Sequence, residues 1–142
     1  MNKSIVIPVY NEEGNIGNLI KKIQLILEKN DELIIINDGS TDNTKKEVEN
    51  YNCILVNFEN NKGKGAAMKA GVKQARNDLV VFMGGDGQDD PNEIKLLIEE
   101  IKLGYDYVIG SRFVGEHSNL RYSKKAILPI NQFGNKSLTF LI

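Results

Sequence analysis

The sequence predicts an α/β fold in which a mainly parallel sheet is flanked by helices, and three observations carry that expectation. Short apolar runs rich in Val and Ile recur five times, helical spacing fills the intervals between them, and polar residues gather after the runs rather than before them. At 142 residues, 41% hydrophobic and 26% charged, the chain has the size and balance of one domain with a single core.

The five runs are residues 5–9, 33–36, 53–56, 79–83 and 107–109. They lack polar alternation, so they read as strands buried on both faces. After the first run, Ile16, Leu19, Ile20, Ile23, Ile26 and Leu27 recur at helical spacing as far as the turn residues Asn30 and Asp31. An amphipathic helix of several turns is expected there. Shorter helices are expected over residues 42–49 and 64–75, the second with Ala66, Ala67, Ala70 and Ala75 for close packing on a sheet. Before the last helix, Asp90 is placed to cap, Pro91 suits the first helical position, and Glu93 can reach back to the cap. Ile94, Leu97, Ile98 and Ile101 then form its buried stripe.

The alternation stops near Gly115. Residues 126–142 carry Ile127, Leu128, Ile130, Phe133, Leu138, Phe140, Leu141 and Ile142, enough apolar surface for a helix that packs on the core or skims a membrane. Core packing is the expectation, because basic residues flank only one end.

The 18 basic and 19 acidic side chains give a net charge of −1, which excludes the global field that gathers nucleic acid or anionic lipid. Any anionic ligand must be met locally. The single cysteine, Cys53, excludes an internal disulfide and a multi-cysteine zinc site, and reads as a small apolar filler. The run at residues 5–9 is too short for a signal-peptide core, and no segment approaches the about 18 to 20 apolar residues of a membrane span.

In open parallel sheets, ligands bind beyond the carboxyl ends of the strands, where loops converge and helix N-termini point their free N–H groups. Here those ends are followed by Tyr10-Asn11-Glu12-Glu13, Asn37-Asp38-Gly39-Ser40, residues 57–65, Gly84-Gly85-Asp86-Gly87-Gln88 and Gly110-Ser111-Arg112. The opposite loops, residues 29–32 and 76–78, show no such grouping by sequence. Any one cluster is ordinary turn and capping chemistry; five at one edge indicate a binding crevice. Ser40 or Thr41 can cap the next helix, which leaves the Asp38 carboxylate for a base or ribose. Asn61-Lys62-Gly63-Lys64-Gly65 offers close backbone approach and positive charge to phosphates without the spacing of a phosphate-cleaving P-loop. Asp86, with the amide oxygen of Gln88, stands on a bare glycine loop suited to a hard divalent cation. The glycines after the first strand, Gly14 and Gly17, do not form a dinucleotide fingerprint.

Taken in order, Ile7-Pro8-Val9-Tyr10-Asn11-Glu12, Asn37-Asp38-Gly39-Ser40-Thr41-Asp42, Asn61-Lys62-Gly63-Lys64-Gly65, Asp86-Gly87-Gln88-Asp89-Asp90-Pro91 and Gly110-Ser111-Arg112-Phe113 resemble the family 2 glycosyltransferases of GT-A fold. The likeness is nearest to polyprenyl-phosphate (dolichyl-phosphate) mannosyl- or glucosyltransferases. It implies a Rossmann-like sheet and one catalytic domain over residues 1–142, truncated at its C-terminus because acceptor elements of such enzymes continue further. It implies that Pro8, Tyr10 and Glu12 line the base and ribose pocket, that Asp38 bonds the base, and that Lys64 and Gly65 lie near the nucleotide. Asp86 and Gln88 would serve Mg²⁺ or Mn²⁺ and the diphosphate. One departure stands out: Gly84 occupies the first position of the usual Asp-x-Asp pair.

The expected reaction is inverting transfer of mannose or glucose from GDP-mannose or UDP-glucose to a polyprenyl phosphate lipid. That acceptor needs no base but does need cations, for which Arg112 and Arg121 are the candidates, with Lys124 and Lys125 as a possible solvated face. His117 reads as a plain loop residue. A saccharide hydroxyl acceptor would require a carboxylate base, for which only Glu116 follows Arg112 at a suitable place. A nucleotide-sugar-binding module without efficient turnover is the other alternative, suggested by Gly84. The lipid acceptor implies a cytoplasmic protein, peripheral on the cytoplasmic face of the membrane, with a membrane-anchored partner or a missing C-terminal segment.

Overall fold

The computed structural model describes residues 1–110 and the backbone of residues 137–141. In chain order the elements are β1 (Lys3–Val9), α1 (Ile16–Gln24), β2 (Glu32–Asn37), α2 (Thr44–Val48), β3 (Ile54–Asn57), α3 (Lys64–Gln74), β4 (Leu79–Phe82), a 3-10 turn (Pro91–Glu93), α4 (Ile94–Lys102), β5 (Ile109–Gly110) and β6 (Ser137–Leu141). The sheet order is β3-β2-β1-β4-β6-β5, with every recorded pairing parallel.

The strands form where the apolar runs lie, and their two faces are divided by the pleat. Ile5, Ile7 and Val9 of β1 face a core shared with Ile16, Leu19, Ile20 and Ile23 of α1, Val48 of α2, and Ile94, Leu97 and Ile101 of α4. Val6 faces the other way, with Ile34, Ile36, Val80 and Phe82, onto Ala67 of α3. α3 lies close to the sheet as its small residues suggest: a β-carbon on Gly71 would fall 2.1 Å from Val6 Cγ1. Cys53 is half-buried against the first core, and burial pushes its thiol pKa up, as befits a filler.

Five differences from the sequence expectation have physical causes. α1 stops at Gln24, because the Ile26 amide turns back to the Ile23 carbonyl at 2.9 Å; Ile26 and Leu27 still pack on the core from outside the helix. α2 shrinks to five residues, since Asp42 and Asn43 serve as its entry. β3 is an edge strand, half-buried instead of buried, and β5 is reduced to two residues. The largest correction falls in the last segment, where residues 137–141 form a strand inserted between β4 and β5, not part of a helix. Leu138-Thr139-Phe140-Leu141 is too short for periodicity to separate strand from helix, and pairing with distant strands decides it.

This topology creates a switch point. The chain winds outward from β1 through β2 to β3, then returns to place β4 on the other side of β1. The loops after β1 and β4 lie against each other beyond this point, and the helices that follow them, α1 and α4, pack on the same face of the sheet; the carboxyl edge at such a reversal of strand order is the usual ligand position. Pro8 lies where the pairing of β1 with β4 has ended. The β1–β4 ladder ends at Val6 and Phe82, with Met83 donating to the Val6 carbonyl, so the N–H that Pro8 lacks would have faced β4 beyond the last sheet bond.

Candidate functional site

Three loops at the carboxyl edge are sewn together by side chains that accept backbone amides. The Asn11 amide donates to Ser40 Oγ at 3.0 Å, and the Thr41 amide donates back to Asn11 Oδ1 at 2.8 Å. The Glu12 amide donates to Thr44 Oγ1 at 2.7 Å, the Glu13 amide to Asp42 Oδ2 at 3.2 Å, and the Asn43 amide to Glu13 Oε2 at 2.7 Å. The loops after β1 and β2 are thus tied to each other at several points. Asn11, with φ of 56°, is the single non-glycine residue at positive φ among the described residues.

The loop after β3 joins through Asp38. Its Oδ1 accepts the Lys62 amide at 2.7 Å and its Oδ2 the Gly63 amide at 2.9 Å, while its own amide donates to the Val9 carbonyl at 2.9 Å. Two sequence expectations are corrected here. The Asp38 carboxylate is not left open; it is buried and already holds the loop before α3. The entry to α2 belongs to Asp42, which accepts the Thr44 amide at 2.9 Å, whereas Ser40 serves Asn11. Each carboxylate oxygen of Asp38 retains a second lone pair, so bonding to a ligand stays within its capacity. Burial opposes ionisation of Asp42, yet bonds from the Thr44 hydroxyl and amide and the Glu13 amide outweigh it and hold its carboxyl below the usual range.

Gly39 permits this crowding. It sits at φ of 71°, and a β-carbon there would lie 2.5 Å from Asn60 C and Asn61 N. Lys62 rests over the Phe58 ring at 4.7 Å, and Lys64 and Gly65 open α3 on the exposed surface. Tyr10 is 46% exposed at the same edge, a flat aromatic face presented to solvent.

The loop after β4 leaves the sheet flat against β1, where a β-carbon on Gly85 would meet Val9 Cγ1 at 2.6 Å and the Pro8 carbonyl at 3.2 Å. Within it, the Gln88 amide donates to Asp86 Oδ1 at 3.1 Å and the Gly84 amide to Asp89 Oδ2 at 3.0 Å. Asp90 accepts the Asn92 amide at 3.0 Å, as its capping position predicts, but the expected return bond from the Glu93 side chain is not formed; the Glu93 amide donates to the Asp90 carbonyl in an ordinary turn. A β-carbon on Gly84 would lie 3.1 Å from Asp89 Oδ2 and 3.2 Å from Asp86 Oδ1, so two carboxylates converge where a third would otherwise stand. That all-oxygen set suits Mg²⁺ or Mn²⁺. Among the described residues no three His, Cys, Asp or Glu side chains form a metal-holding group, so such an ion needs added oxygens from a diphosphate or water.

Pro8, Tyr10, Glu12, Asp38, Lys64, Gly65, Asp86 and Gln88 therefore share one edge. Arg112 and Arg121, with Glu116, His117, Lys124 and Lys125, lie outside the described residues. Sequence reasoning missed the structural work of Asn11, Thr44 and Asp89; the tolerance of Asn for left-handed backbone was the available signal for the first. It also missed a polar network at the opposite edge. There Lys3 pairs with Asp31, and Glu32 accepts from the Ser4 hydroxyl at 2.6 Å, the Arg76 amide at 2.9 Å and the Arg76 guanidinium.

Residues 4–141 match the family model described as glycosyl transferase family 2. The undecaprenyl-phosphate 4-deoxy-4-formamido-L-arabinose transferase of Pseudomonas fluorescens is 39% identical over 116 residues, covering 74% of this chain and 33% of that protein. The dolichol-phosphate mannosyltransferase of Pyrococcus furiosus is 35% identical over 134 residues, covering 89% of this chain and 38% of its own length. The chain thus spans about a third of the length of these curated relatives. Among solved structures, glucosyl-3-phosphoglycerate synthase from Mycobacterium tuberculosis, in complex with Mn²⁺, UDP and phosphoglyceric acid, aligns with a TM-score of 0.68 at 26% identity. That alignment covers 80% of this chain and 44% of the synthase.

Proposed function

The chain belongs to glycosyl transferase family 2, and on that premise we propose that it moves a hexose, mannose or glucose, from a nucleoside-diphosphate sugar to a polyprenyl phosphate. Its parallel sheet flanked by helices is the GT-A fold of that family. The observation that carries the proposal is the meeting, at one edge of the sheet, of the laced loops after β1 to β3 and a carboxylate-bearing glycine loop after β4. The first suits a base and ribose; the second suits a diphosphate with its cation.

In this assignment Tyr10 offers a stacking face to the base, Asp38 and Glu12 accept from base and ribose, and the amide-rich start of α3 lies toward the phosphates. Asp86, with Gln88, would hold the divalent ion. When bound, that ion supplies positive charge against the negative charge that develops on the leaving diphosphate. A phosphate acceptor is already anionic at neutral pH, so in-line attack requires no carboxylate base from the protein. Arg112 and Arg121 are assigned to bind the acceptor phosphate. The names of the two lipid-phosphate transferases above support this acceptor. We further propose a peripheral position on the cytoplasmic face of a membrane; among the described residues no helix is long and apolar enough to cross one. Co-sedimentation with polyprenyl-phosphate vesicles, released by high salt, tests that position, and recovery in the supernatant at low salt would refute it.

Gly84 favours one competing account, a module that binds nucleotide sugar with little turnover. Calorimetric titration with UDP, GDP, UDP-glucose and GDP-mannose, each with and without Mn²⁺, is the test of donor binding. Metal-dependent binding of one nucleotide, lost in Asp86→Asn, is expected. Transfer of labelled hexose to polyprenyl phosphate then separates enzyme from module, and absence of nucleotide binding in every arm would sink both.

A further inference from the structure

We propose that Asn11 is the positioning residue of the nucleotide pocket, a clasp whose side-chain oxygen fixes the loop carrying Tyr10 and Glu12 against the loop carrying Asp38. The inference rests on the assignment of this edge to a nucleotide sugar.

Asn11 adopts φ of 56°, a left-handed conformation that most residues with a β-carbon avoid. Glycine would adopt it freely, so the backbone alone does not explain an asparagine. What asparagine adds is an acceptor. Oδ1 takes the Thr41 amide at 2.8 Å and the Thr41 hydroxyl at 3.3 Å, while the Asn11 amide donates to Ser40 Oγ at 3.0 Å. Both the main chain and the side chain of one exposed residue are thus committed to the neighbouring loop. Strain of this kind persists where the surroundings over-determine it, and it concentrates at functional sites.

The residues on either side of Asn11 are those assigned to the ligand. Tyr10 stands 46% exposed before it, and Glu12 follows with its amide on Thr44 Oγ1 and its carboxylate accepting from Asn15 Nδ2 at 2.9 Å. Across the clasp, Asp38 is tied to the Val9 carbonyl and to the amides of Lys62 and Gly63. The conformation of Asn11 therefore sets the position of Tyr10 relative to Asp38. Asn11 contributes little to the core, being exposed, so its loss falls on the geometry of the pocket. A pocket held in its bound form before the ligand arrives spares the ligand the cost of ordering the loop.

The test is calorimetric titration of the chain with UDP and with GDP in the presence of Mn²⁺, well below the thermal midpoint of each variant. Asn11→Asp keeps both the acceptor oxygen and the tolerance for positive φ, and should bind within about threefold of the unaltered chain. Asn11→Gly keeps the backbone freedom and loses the acceptor, and should bind about tenfold more weakly. Asn11→Ala loses both and should be weaker still. Ser40→Ala attacks the clasp from the other side with Asn11 intact, and should weaken binding about threefold. Unchanged affinity in Asn11→Gly and Ser40→Ala, or a loss in Asn11→Asp as large as in Asn11→Gly, overturns the inference while leaving the nucleotide pocket standing. Failure of the unaltered chain to bind either nucleotide overturns the pocket and the clasp together.

Discussion

The two ends of the sheet are both laced by polar side chains, but with partners of different kinds. At the amino end Asp31 and Glu32 accept backbone amides and each also has a cationic partner: Lys3 for Asp31, both side chains buried, and Arg76 for Glu32. At the carboxyl end the carboxylates of Glu13, Asp38, Asp42 and Asp86 accept backbone amides. An ion pair cancels charge within the fold, whereas a neutral amide leaves the carboxylate charge in place. The amino end therefore holds strand starts together, and the carboxylates at the carboxyl end keep a charge that a cation can answer. A count of polar residues does not distinguish the two ends; a cationic partner beside the carboxylate does.

The largest effect that would expose this difference is expected at the amino end. Asp31→Ala removes one partner of a buried pair together with the acceptor of the Lys3 and Glu28 amides, and should cost about 3 to 5 kcal/mol. Denaturant unfolding measures the loss, while nucleotide affinity of the folded protein should stay put; a matching drop in affinity would erase the distinction between the ends. Gly39→Ala, at the carboxyl end, should cost about 2 to 3 kcal/mol, because neither its φ of 71° nor the Asn60–Asn61 backbone 2.5 Å away can yield cheaply. Here affinity should fall too, since the same crowding sets the Asp38 bonds to Lys62 and Gly63. Unaltered binding in this variant would detach Asp38 from the pocket.

Acid should act on both ends, with a smaller effect. Burial alone would raise the pKa of Glu32, but the Ser4 hydroxyl, the Arg76 amide and the Arg76 guanidinium outweigh it and hold it below the usual value. A depressed folded pKa gives stability that is present above the unfolded carboxylate range, near pH 4.3, and lost as pH falls through the folded value. Glu32→Gln should therefore cost about 1 to 2 kcal/mol at pH 7, with the difference from the unaltered chain closing as pH drops toward about 3. Parallel unfolding curves with a constant gap down to that pH would remove Glu32 from the acid response. Asp42 is depressed in the same direction and adds to the same limb.

Much of this fold was legible because its signals are local and repeated. The Val and Ile runs located β1, β2, β3 and β4, and Asp90-Pro91 located the start of the last helix. β6 was not legible, because a five-residue strand separated from β5 by residues 111–136 is defined by its partners and not by its own period. At the site, residue types placed Tyr10, Asp38, Lys64 and Asp86 on one edge. They did not reveal that Asp38 already serves the loop before α3, because hydrogen-bond partners from a different βα unit leave no mark on local sequence. The same holds for Glu32 and Arg76, forty-four positions apart.

Gly84 offers the finest comparison of the two ends, because a carboxylate can be added there without a change of backbone region. A β-carbon at that position meets Asp89 Oδ2 at 3.1 Å and Asp86 Oδ1 at 3.2 Å, close enough that both side chains must yield slightly. Gly84→Asp would bring a third carboxylate beside two that already converge. Without a cation the added repulsion should lower stability by about 1 kcal/mol, the usual scale of close like charges partly exposed to water. With Mn²⁺ the same three oxygens should raise metal affinity about tenfold and restore the loss, because a hard cation gains from each anionic oxygen. Thermal midpoints with chelator and with Mn²⁺ should therefore move in opposite directions relative to the unaltered chain. At the amino end, where Asp31 and Glu32 already have their cations, Mn²⁺ should leave the stability difference of Asp31→Ala unchanged. If Gly84→Asp is destabilised equally in both conditions, the convergence of Asp86 and Asp89 is turn chemistry alone, and the negative carboxyl edge has no cation to answer it.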